Sequence, residues 1–345
     1  MGIYYLLIFV LAIFGLSTKK ERAFEAALDK SQTTMINGIF ILVVFVAHLH
    51  KFLYAPMGYE VETFLDKLYV HIHSNLDQLI VAPFFFYSGY GITEQLGKKA
   101  GYLDSFLRKR ALTLYLNFLV ALLVYILTYR VLCGEVRLFE LGKSLIFMHS
   151  FWNPTWFLFC TFCCYVSIYG TFRALNNKPR WALVSCVVAL MLGYVVLMHR
   201  IRPYWWYSTA LVFPFGVFVS LYKPEAERIV SSRWKTCFAA VLVMFCTVFC
   251  FRHEILCLRF NFLAILFVSL IVLFTMRVHV GNPVLCWCGR HVFPIYMYHA
   301  LWLFIAREIS SGCGQVRWTA HAMALVVFAA TILTAKYYNR WQIQM

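Results

Sequence analysis

The stretch MINGIFILVVFVAHLH, residues 35–50, is an apolar run with polar side chains only near its two ends. Asn37 and His48 are eleven residues apart, close to three turns at 3.6 residues per turn. Both therefore lie on one helix face, roughly 16 Å apart along the axis. An ionisable group inside a membrane helix is costly and is a default candidate for function. By position alone, His48 is equally typical of a histidine that is hydrogen-bonded at a helix end.

The composition extends this interpretation to the whole chain. Of its 345 residues, 62% are hydrophobic and 13% are charged, against about 45–50% and roughly 25% in soluble domains. The 33 Phe, 21 Tyr and 10 Trp are typical of lipid-facing and interfacial surfaces. This composition excludes a soluble enzyme, a disordered chain and a fibrous repeat.

The fold class predicted from these features is an all-α polytopic transmembrane bundle of about 10–11 spans. Each span needs about 20 apolar residues, and shorter segments must tilt, kink or extend into the interface. The apolar segments lie at about 3–16, 34–50, 76–92, 111–129, 144–171, 181–198, 205–221, 236–251, 260–275, 285–305 and 319–335.

The basic residues indicate an orientation rather than a nucleic-acid partner. The chain carries a net charge of +16, but its Lys and Arg are scattered in short clusters between the spans. Nucleic-acid binding requires a basic groove on a soluble face, so no nucleic-acid partner is expected. Alternate loops hold 20 and 11 of the 31 basic residues. The positive-inside rule then predicts that the N-terminus is outside and the C-terminus is cytoplasmic.

Small and basic residues mark two further segments. Ser88, Gly89 and Gly91 lie in the middle of a span, where a neighbouring helix or a ligand can approach closely. The run Arg108–Arg110 begins the next helix at the cytoplasmic side. Three adjacent cations suit a phosphate-rich donor, although the positive-inside rule by itself accounts for them.

For the histidines and cysteines, the sequence leaves more than one role open. His48, His149 and His299 fall at one depth on three predicted helices, where they could line a chamber. The pairs at 48/50 and 71/73 have a metal-ligand spacing on paper, but positions i and i+2 diverge in a helix, so no metal is expected. The three cysteines at 160, 163 and 164 are typical of small apolar residues buried in a helix. A disulfide among Cys133, Cys257 and Cys313 is left open.

Five motifs, taken in order, resemble the integral-membrane acyltransferase 3 family, which O-acylates surface glycans. The first resembles the family's signature of a basic residue, ten residues and a histidine, and the last resembles its late Y-x-x-H helix. The resemblance runs from about residue 31 to 305. The matching segments are NGI and AHL within 37–49, FFFYSGYGI at 84–92, FLRKR at 106–110, TWFL at 155–158 and IYMYH at 295–299.

The resemblance implies transfer of an acyl group, most often acetyl, from acyl-CoA to a hydroxyl of a surface glycan or lipid-linked sugar. It implies acyl-CoA as co-substrate with no bound cofactor, and the lipid bilayer of the plasma (inner) membrane as the site of action. The domains expected are an extra N-terminal transmembrane helix with its cytoplasmic loop (1–30) and a membrane acyltransferase domain (31–345). The implied site consists of His48 as base or transient acyl carrier, Asn37, Arg108, Lys109 and Arg110 for the donor, and Tyr87, Ser88, Trp156, Tyr296 and His299 as chamber walls or oxyanion donors.

The chain departs from the family pattern at two positions linked to donor handling. Asn37 stands where the family has a basic residue, and Thr113 stands where a second arginine is expected a turn beyond Arg110. A transporter or flippase for a glycan or lipid-linked sugar, or a membrane polymerase, would also explain the spans and aromatics. A transporter predicts pseudo-symmetric halves, which the sequence does not show.

Overall fold

A computed structural model of the protein describes residues 1–18, 24–175, 178–250, 257–310, 317–338 and 340–343. Helices dominate these residues, and the strands among them are β1 (Leu16–Thr18) and β2 (Val278–Val280), which pair antiparallel. The α-helices are α1 (Ile3–Ile13), α2 (Phe24–Ala27), α3 (Lys30–Leu49), α4 (Phe64–Leu76), α5 (Ala82–Lys98), α6 (Tyr102–Phe106), α7 (Thr113–Cys133), α8 (Leu138–Leu145), α9 (Thr155–Ala174), α10 (Arg180–Ile201), α11 (Val212–Leu221), α12 (Lys223–Ser232), α13 (Trp234–Cys250), α14 (Cys257–Thr275), α15 (Pro283–Arg290), α16 (Val292–Ser310) and α17 (Arg317–Tyr338).

The prediction of an all-α polytopic bundle is confirmed. Within the described ranges, six helical segments are long and apolar enough to cross a membrane, and α12 with α13, bent by 99°, would make a seventh. The other predicted spans coincide with shorter or more polar helices. The six segments are Phe24–Tyr54, Tyr102–Cys133, Thr155–Ala174, Arg180–Ile201, Leu258–Thr275 and Thr319–Tyr338.

Several of the predicted spans have different boundaries in the structure, and three of them show why. The span at 76–92 becomes α5, which begins six residues later, with Pro83 in the first turn where its missing N–H costs nothing. The span at 144–171 is helical only from Thr155, because residues 146–154 form an irregular segment with left-handed backbone at Phe147 and Trp152. The span at 285–305 is broken at His291 into α15 and α16.

The first predicted span is a short helix continued by a strand. The α1 helix has eleven residues, and β1 follows it and pairs with β2. The Asn282 side chain donates to the Leu11 carbonyl at 2.9 Å, which ties the end of α1 to the start of α15. Because backbone groups inside a bilayer need partners within the protein, this pairing makes a non-helical segment tolerable at that position.

The two ends of the bundle differ in character. Lys30, Lys98 and Arg110 line one cavity, and we call their end the basic end. The chain finishes near this end, since Asn117 in the first turns of α7 bonds both the N–H and the carbonyl of Ile343, at 3.0 and 2.9 Å. By contrast, α1 starts beside the far end of α3, where the Tyr54 hydroxyl lies 3.1 Å from that of Tyr4.

Two glycine crossings set the distances between helices around the centre. A Cβ on Gly38 in α3 or on Gly289 in α15 would overlap a backbone carbonyl of the other helix. The same holds for Gly89 in α5 and Gly216 in α11. Small residues let backbones touch in this way, and membrane helices gain most of their association from such packing. The first crossing therefore fixes α15, and with it the start of α16, relative to α3, and the second fixes α5 relative to α11.

We predict that Gly89→Ala lowers the thermal stability of the detergent-solubilised protein. The added methyl has no space, and overpacking costs about 1–3 kcal/mol. Gly97→Ala in the same helix is the matched control, because a Cβ there meets nothing within 4 Å and alanine favours a helix by about 0.5–1 kcal/mol. A melting temperature of Gly89→Ala equal to or above that of Gly97→Ala would contradict the close contact between α5 and α11 at Gly89.

Candidate active site

His48 and His299 meet at the centre of the site. The His48 Nδ1 lies 2.6 Å from the His299 Nε2, and the two ring planes are within 7° of parallel. His48 comes from the last turn of α3, and His299 lies midway along α16. Two histidines placed 251 residues apart in the sequence are thus joined by one hydrogen bond. His299 is 1% exposed, whereas His48 is half-buried.

The partners of His299 determine which nitrogens carry protons. Its Nδ1 faces the Tyr296 carbonyl at 2.7 Å and the Ile295 carbonyl at 3.0 Å. A carbonyl only accepts, so Nδ1 of neutral His299 carries the proton and its Nε2 is an acceptor. His48 must then donate from Nδ1, which leaves the lone pair on its Nε2. Within the described part of the chain, that Nε2 has no hydrogen-bond partner.

A cavity of about 860 Å³ opens between α3, α5, α9 and α16 at the basic end. This volume lies within the range of small-molecule sites. Cationic side chains line it more often than acidic ones. Its charged lining residues are Lys30, Lys98, Lys99, Arg110 and Lys223, with Glu25, Asp29 and Glu94.

Two buried polar atoms on the cavity wall have no protein partner. Among the described residues, the Asn37 Oδ1 and the Tyr87 hydroxyl make no hydrogen bond. Buried polar groups are normally satisfied, so each exception needs an explanation. A ligand that carries N–H or O–H groups past the wall would satisfy both. Arg110 bonds the Tyr102 hydroxyl at 3.2 Å, which holds its guanidinium near the mouth.

The cavity ends one helical turn from the histidine pair. Tyr296 lines its inner wall, and the Tyr296 ring lies 5.9 Å from that of His299. Phe157 packs against Tyr296 at 4.8 Å and also lines the cavity. Tyr296 therefore joins the cavity wall to the histidine pair, with Phe157 packed against it.

The structure brings together some of the predicted site residues and separates others. Asn37, Arg110, Tyr87, Ser88 and Tyr296 line the cavity, and His48 pairs with His299. Arg108, Lys109 and Trp156 are not among the lining residues, and neither cation is buried.

His149 does not join the other two histidines. It lies in the irregular segment before α9, rather than in a helix, and packs on Phe151 with ring centroids 4.8 Å apart. The chamber of three histidines is thus a pair.

Sequence reasoning missed four cations of the cavity, Lys30, Lys98, Lys99 and Lys223. Each stands at a helix boundary, where the positive-inside rule already accounts for it. Basic residues cluster at the ends of several spans, which was a signal in the sequence. Only the fold shows that the segments carrying these lysines and Arg110 meet at one cavity.

Other sequence expectations concern metals and cysteines. Among the described residues no group of three or more His, Cys, Asp or Glu could hold a metal ion. Cys133 is free and exposed. The side chain of Cys257 and residue Cys313 lie outside the described residues, as do the basic residues at 19, 20 and 22.

The class of protein follows from these features together with the similarity of the sequence to a known family. A membrane bundle that sets a histidine pair beside a cationic cavity is suited to group transfer from an anionic donor. Residues 35–337 match the family model described as an acyltransferase domain. The chain belongs to this family, and it is a membrane acyltransferase. This result favours the acyltransferase over the transporter, flippase and polymerase alternatives. No curated protein and no solved structure matches the chain.

We predict that His299→Leu lowers acyltransferase activity by about 10²-fold, because leucine cannot accept the His48 Nδ1 proton and the tautomer is released. His299→Gln should recover part of the rate, since its amide oxygen can accept that proton. Steady-state rates of the purified variants, compared with their melting temperatures, test this. Equal losses in Leu and Gln variants of unchanged stability would contradict an orienting role for His299.

Proposed function

We propose that the protein transfers an acyl group, namely acetyl, from acyl-CoA to a hydroxyl of a surface glycan or lipid-linked sugar, with His48 as general base. The observation that carries this proposal is the hydrogen-bond chain from the Tyr296 carbonyl through His299 to His48. It leaves the His48 Nε2 unprotonated and without a protein partner in the described chain. A sugar hydroxyl is a poor nucleophile, and a positioned base contributes about 10²–10⁴-fold to its reaction.

The step is a direct displacement. The acceptor hydroxyl oxygen attacks the thioester carbonyl while the His48 Nε2 takes the hydroxyl proton. The tetrahedral intermediate then expels the CoA sulfur, which receives that proton from His48. The positive charge formed on His48 meanwhile strengthens its Nδ1–H bond to His299. No net proton is lost, and the products are the ester and free CoA thiol.

The cationic cavity is the proposed donor site. The phosphates of acyl-CoA would lie among Arg110, Lys30 and Lys99, because Lys98 and Lys223 are already paired with glutamates at 2.8 and 3.0 Å. The narrow pantetheine arm would run along Asn37 and Tyr87. The unpartnered Asn37 Oδ1 supports this placement, because it can accept from an amide N–H of the arm. Asparagine therefore replaces the family's basic residue with a hydrogen-bonding role, while the phosphate charge is met by cations nearer the mouth.

This placement agrees with the proposed orientation. The donor is cytoplasmic, so the basic end faces the cytoplasm and His48 lies in the outer half of a plasma-membrane protein. The thioester must pass Tyr296 and Phe157 to reach His48. Movement of these two rings would admit the acyl group and otherwise keep water from the donor.

A second mechanism uses the same atom of His48. Its Nε2 lone pair could attack the thioester, giving a cationic acyl-imidazolium that keeps the Nδ1 proton, and CoA thiolate. The acceptor hydroxyl would then attack the acyl group and release neutral His48, and its proton would pass to the thiolate. Rapid denaturation at neutral pH and low temperature after mixing with radiolabelled acetyl-CoA, without acceptor, separates the two mechanisms, because acid would hydrolyse an acyl-imidazole. Protein-bound label that is lost in His48→Ala would favour the acyl carrier, and its absence would favour the base.

We predict that the detergent-purified protein consumes acetyl-CoA when acceptor is supplied, and that His48→Ala abolishes this turnover while the variant still inserts and binds donor. Free thiol release measures the rate, and protection from heat by a non-hydrolysable acyl-CoA measures binding. Full activity in His48→Ala would sink the proposed role of His48. Absence of acyl-CoA binding by the wild-type protein would sink the proposed donor.

We predict that Arg110→Gln raises the KM for acyl-CoA by about tenfold, because a hydrogen bond to a charged phosphate contributes about 1.5–3 kcal/mol. Arg108→Gln is the matched control, since Arg108 lies in the same run but does not line the cavity. Its KM should stay within about twofold of wild type. A larger effect at Arg108 than at Arg110 would contradict the proposed donor site.

A further inference from the structure

A series of aromatic rings runs from His48 toward the end of the bundle opposite the basic end. The Phe52 ring meets that of His48 edge-on at 5.3 Å, and Trp152 meets Phe52 at 5.7 Å. Trp152 stacks on Phe304 at 5.3 Å. None of these residues lines the cationic cavity. We call Phe52, Trp152 and the neighbouring Trp205 the aromatic surface.

Two cations stand over this aromatic surface. The Lys51 Nζ lies 5.4 Å from the Phe52 centroid and 5.7 Å from that of Trp205. The Arg307 guanidinium carbon lies 4.4 Å from the Trp152 centroid. Since Phe52 and Trp152 touch, the two cations flank neighbouring rings that lead directly to His48.

The positive charge here is only partly neutralised. Arg307 has Glu308 at 3.8 Å, whereas Lys51 has no ion pair in the described part of the chain. The Asp77 carboxylate, which like Lys51 acts electrostatically on His73, keeps its negative charge and accepts hydrogen bonds from the Tyr204 hydroxyl at 2.8 and 2.9 Å. Burial, with His50 next in effect, lowers the pKa of His73, so that histidine adds no charge at neutral pH. Lys51 is thus the cation left for a ligand.

The backbone at Trp152 supports a ligand-facing role for its ring. Trp152 has φ of 70°, a left-handed conformation that is rare for a bulky side chain. Asn153 holds the turn, because its Oδ1 accepts from the Phe151 N–H at 2.8 Å and its carbonyl accepts from Ser150 at 2.6 Å. Residues held in such conformations concentrate at binding and catalytic sites.

We propose that the aromatic surface binds the acceptor and that the acceptor is an anionic glycan unit. Its sugar ring packs on Trp152 and Phe52, and its carboxylate or phosphate group is held by Lys51 with Arg307. This inference rests on the proposed function, and it specifies the acceptor's charge. A sugar held there presents a hydroxyl to the His48 Nε2 from the side opposite the donor cavity. Lys51 is exposed, so its ammonium can reach such a group, whereas a neutral glycan would offer nothing that pairs with its charge.

The test uses the full-length protein in its own membranes, with endogenous glycan and radiolabelled acetyl-CoA. Labelled glycan should be retained by an anion exchanger at neutral pH. Treating the acceptor fraction beforehand with carbodiimide and borohydride, which reduces carboxylates, or with phosphatase shows which anion is recognised. Labelled glycan that passes unretained through the exchanger would overturn the inference and leave the acyltransferase intact.

Variants of Lys51 test whether its ammonium binds the anionic group of the acceptor. Lys51→Gln should raise the KM for the untreated acceptor by about fivefold and should have no further effect on the acceptor whose anion has been removed. Lys51→Arg should retain most of the affinity. Lys67→Gln, which removes an exposed lysine of α4, is the matched control.

Equal effects of Lys51→Gln on the charged and neutralised acceptors, or none on either, would overturn the inference. The two proposals fail in different ways. Wild-type membranes that consume no acetyl-CoA and label no glycan would overturn the proposed function together with this inference. Transfer without charge preference would overturn this inference alone.

Discussion

The candidate active site depends on one hydrogen bond, from the His48 Nδ1 to the His299 Nε2. It has chemical meaning because the other nitrogen of His299 faces two carbonyls of its own helix, so the direction of donation is fixed along the whole chain of atoms. In water a histidine exchanges tautomers freely. Here the backbone of α16 selects one, and the selected tautomer presents a lone pair where a hydroxyl proton could be taken.

Helix packing supplies the distances that this bond requires. The glycine crossing between α3 and α15 brings α16 close to α3, since α15 leads into α16 after a single break. Lipid offers no hydrophobic drive between helices, so close backbone contact of this kind replaces it. The second crossing places α5 so that Tyr87 and Ser88 face the cavity while Gly89 faces α11.

In the proposed mechanism, donor and acceptor meet the histidine pair from different directions. The cationic cavity reaches Tyr296 from one end of the bundle, and the aromatic surface reaches Phe52 from the other. Phosphate-rich and sugar-like ligands need different linings, charges in the first case and rings in the second. Under this proposal one helix, α3, would place Asn37 beside the donor and His48 beside the reacting atoms.

The bundle and part of the candidate site could be predicted from the sequence. The period of an α-helix put Asn37 and His48 on one face, and composition predicted the bundle. The bond between His48 and His299 could not be derived, because it joins distant segments through tertiary packing. The distinction between Arg108 and Arg110 also depends on three dimensions, since residues 107–112 form a wider helical turn that points only Arg110 at the cavity.

The most direct test of the central claim is the ¹⁵N NMR spectrum of the protein labelled at its histidine rings, recorded at neutral pH and compared with that of His48→Gln. The difference between the two spectra isolates the ring nitrogens of His48. We predict that His48 has a protonated Nδ1 in a strong hydrogen bond and an unprotonated Nε2. A protonated Nε2 on His48 would contradict it, because that ring could not accept the acceptor's proton.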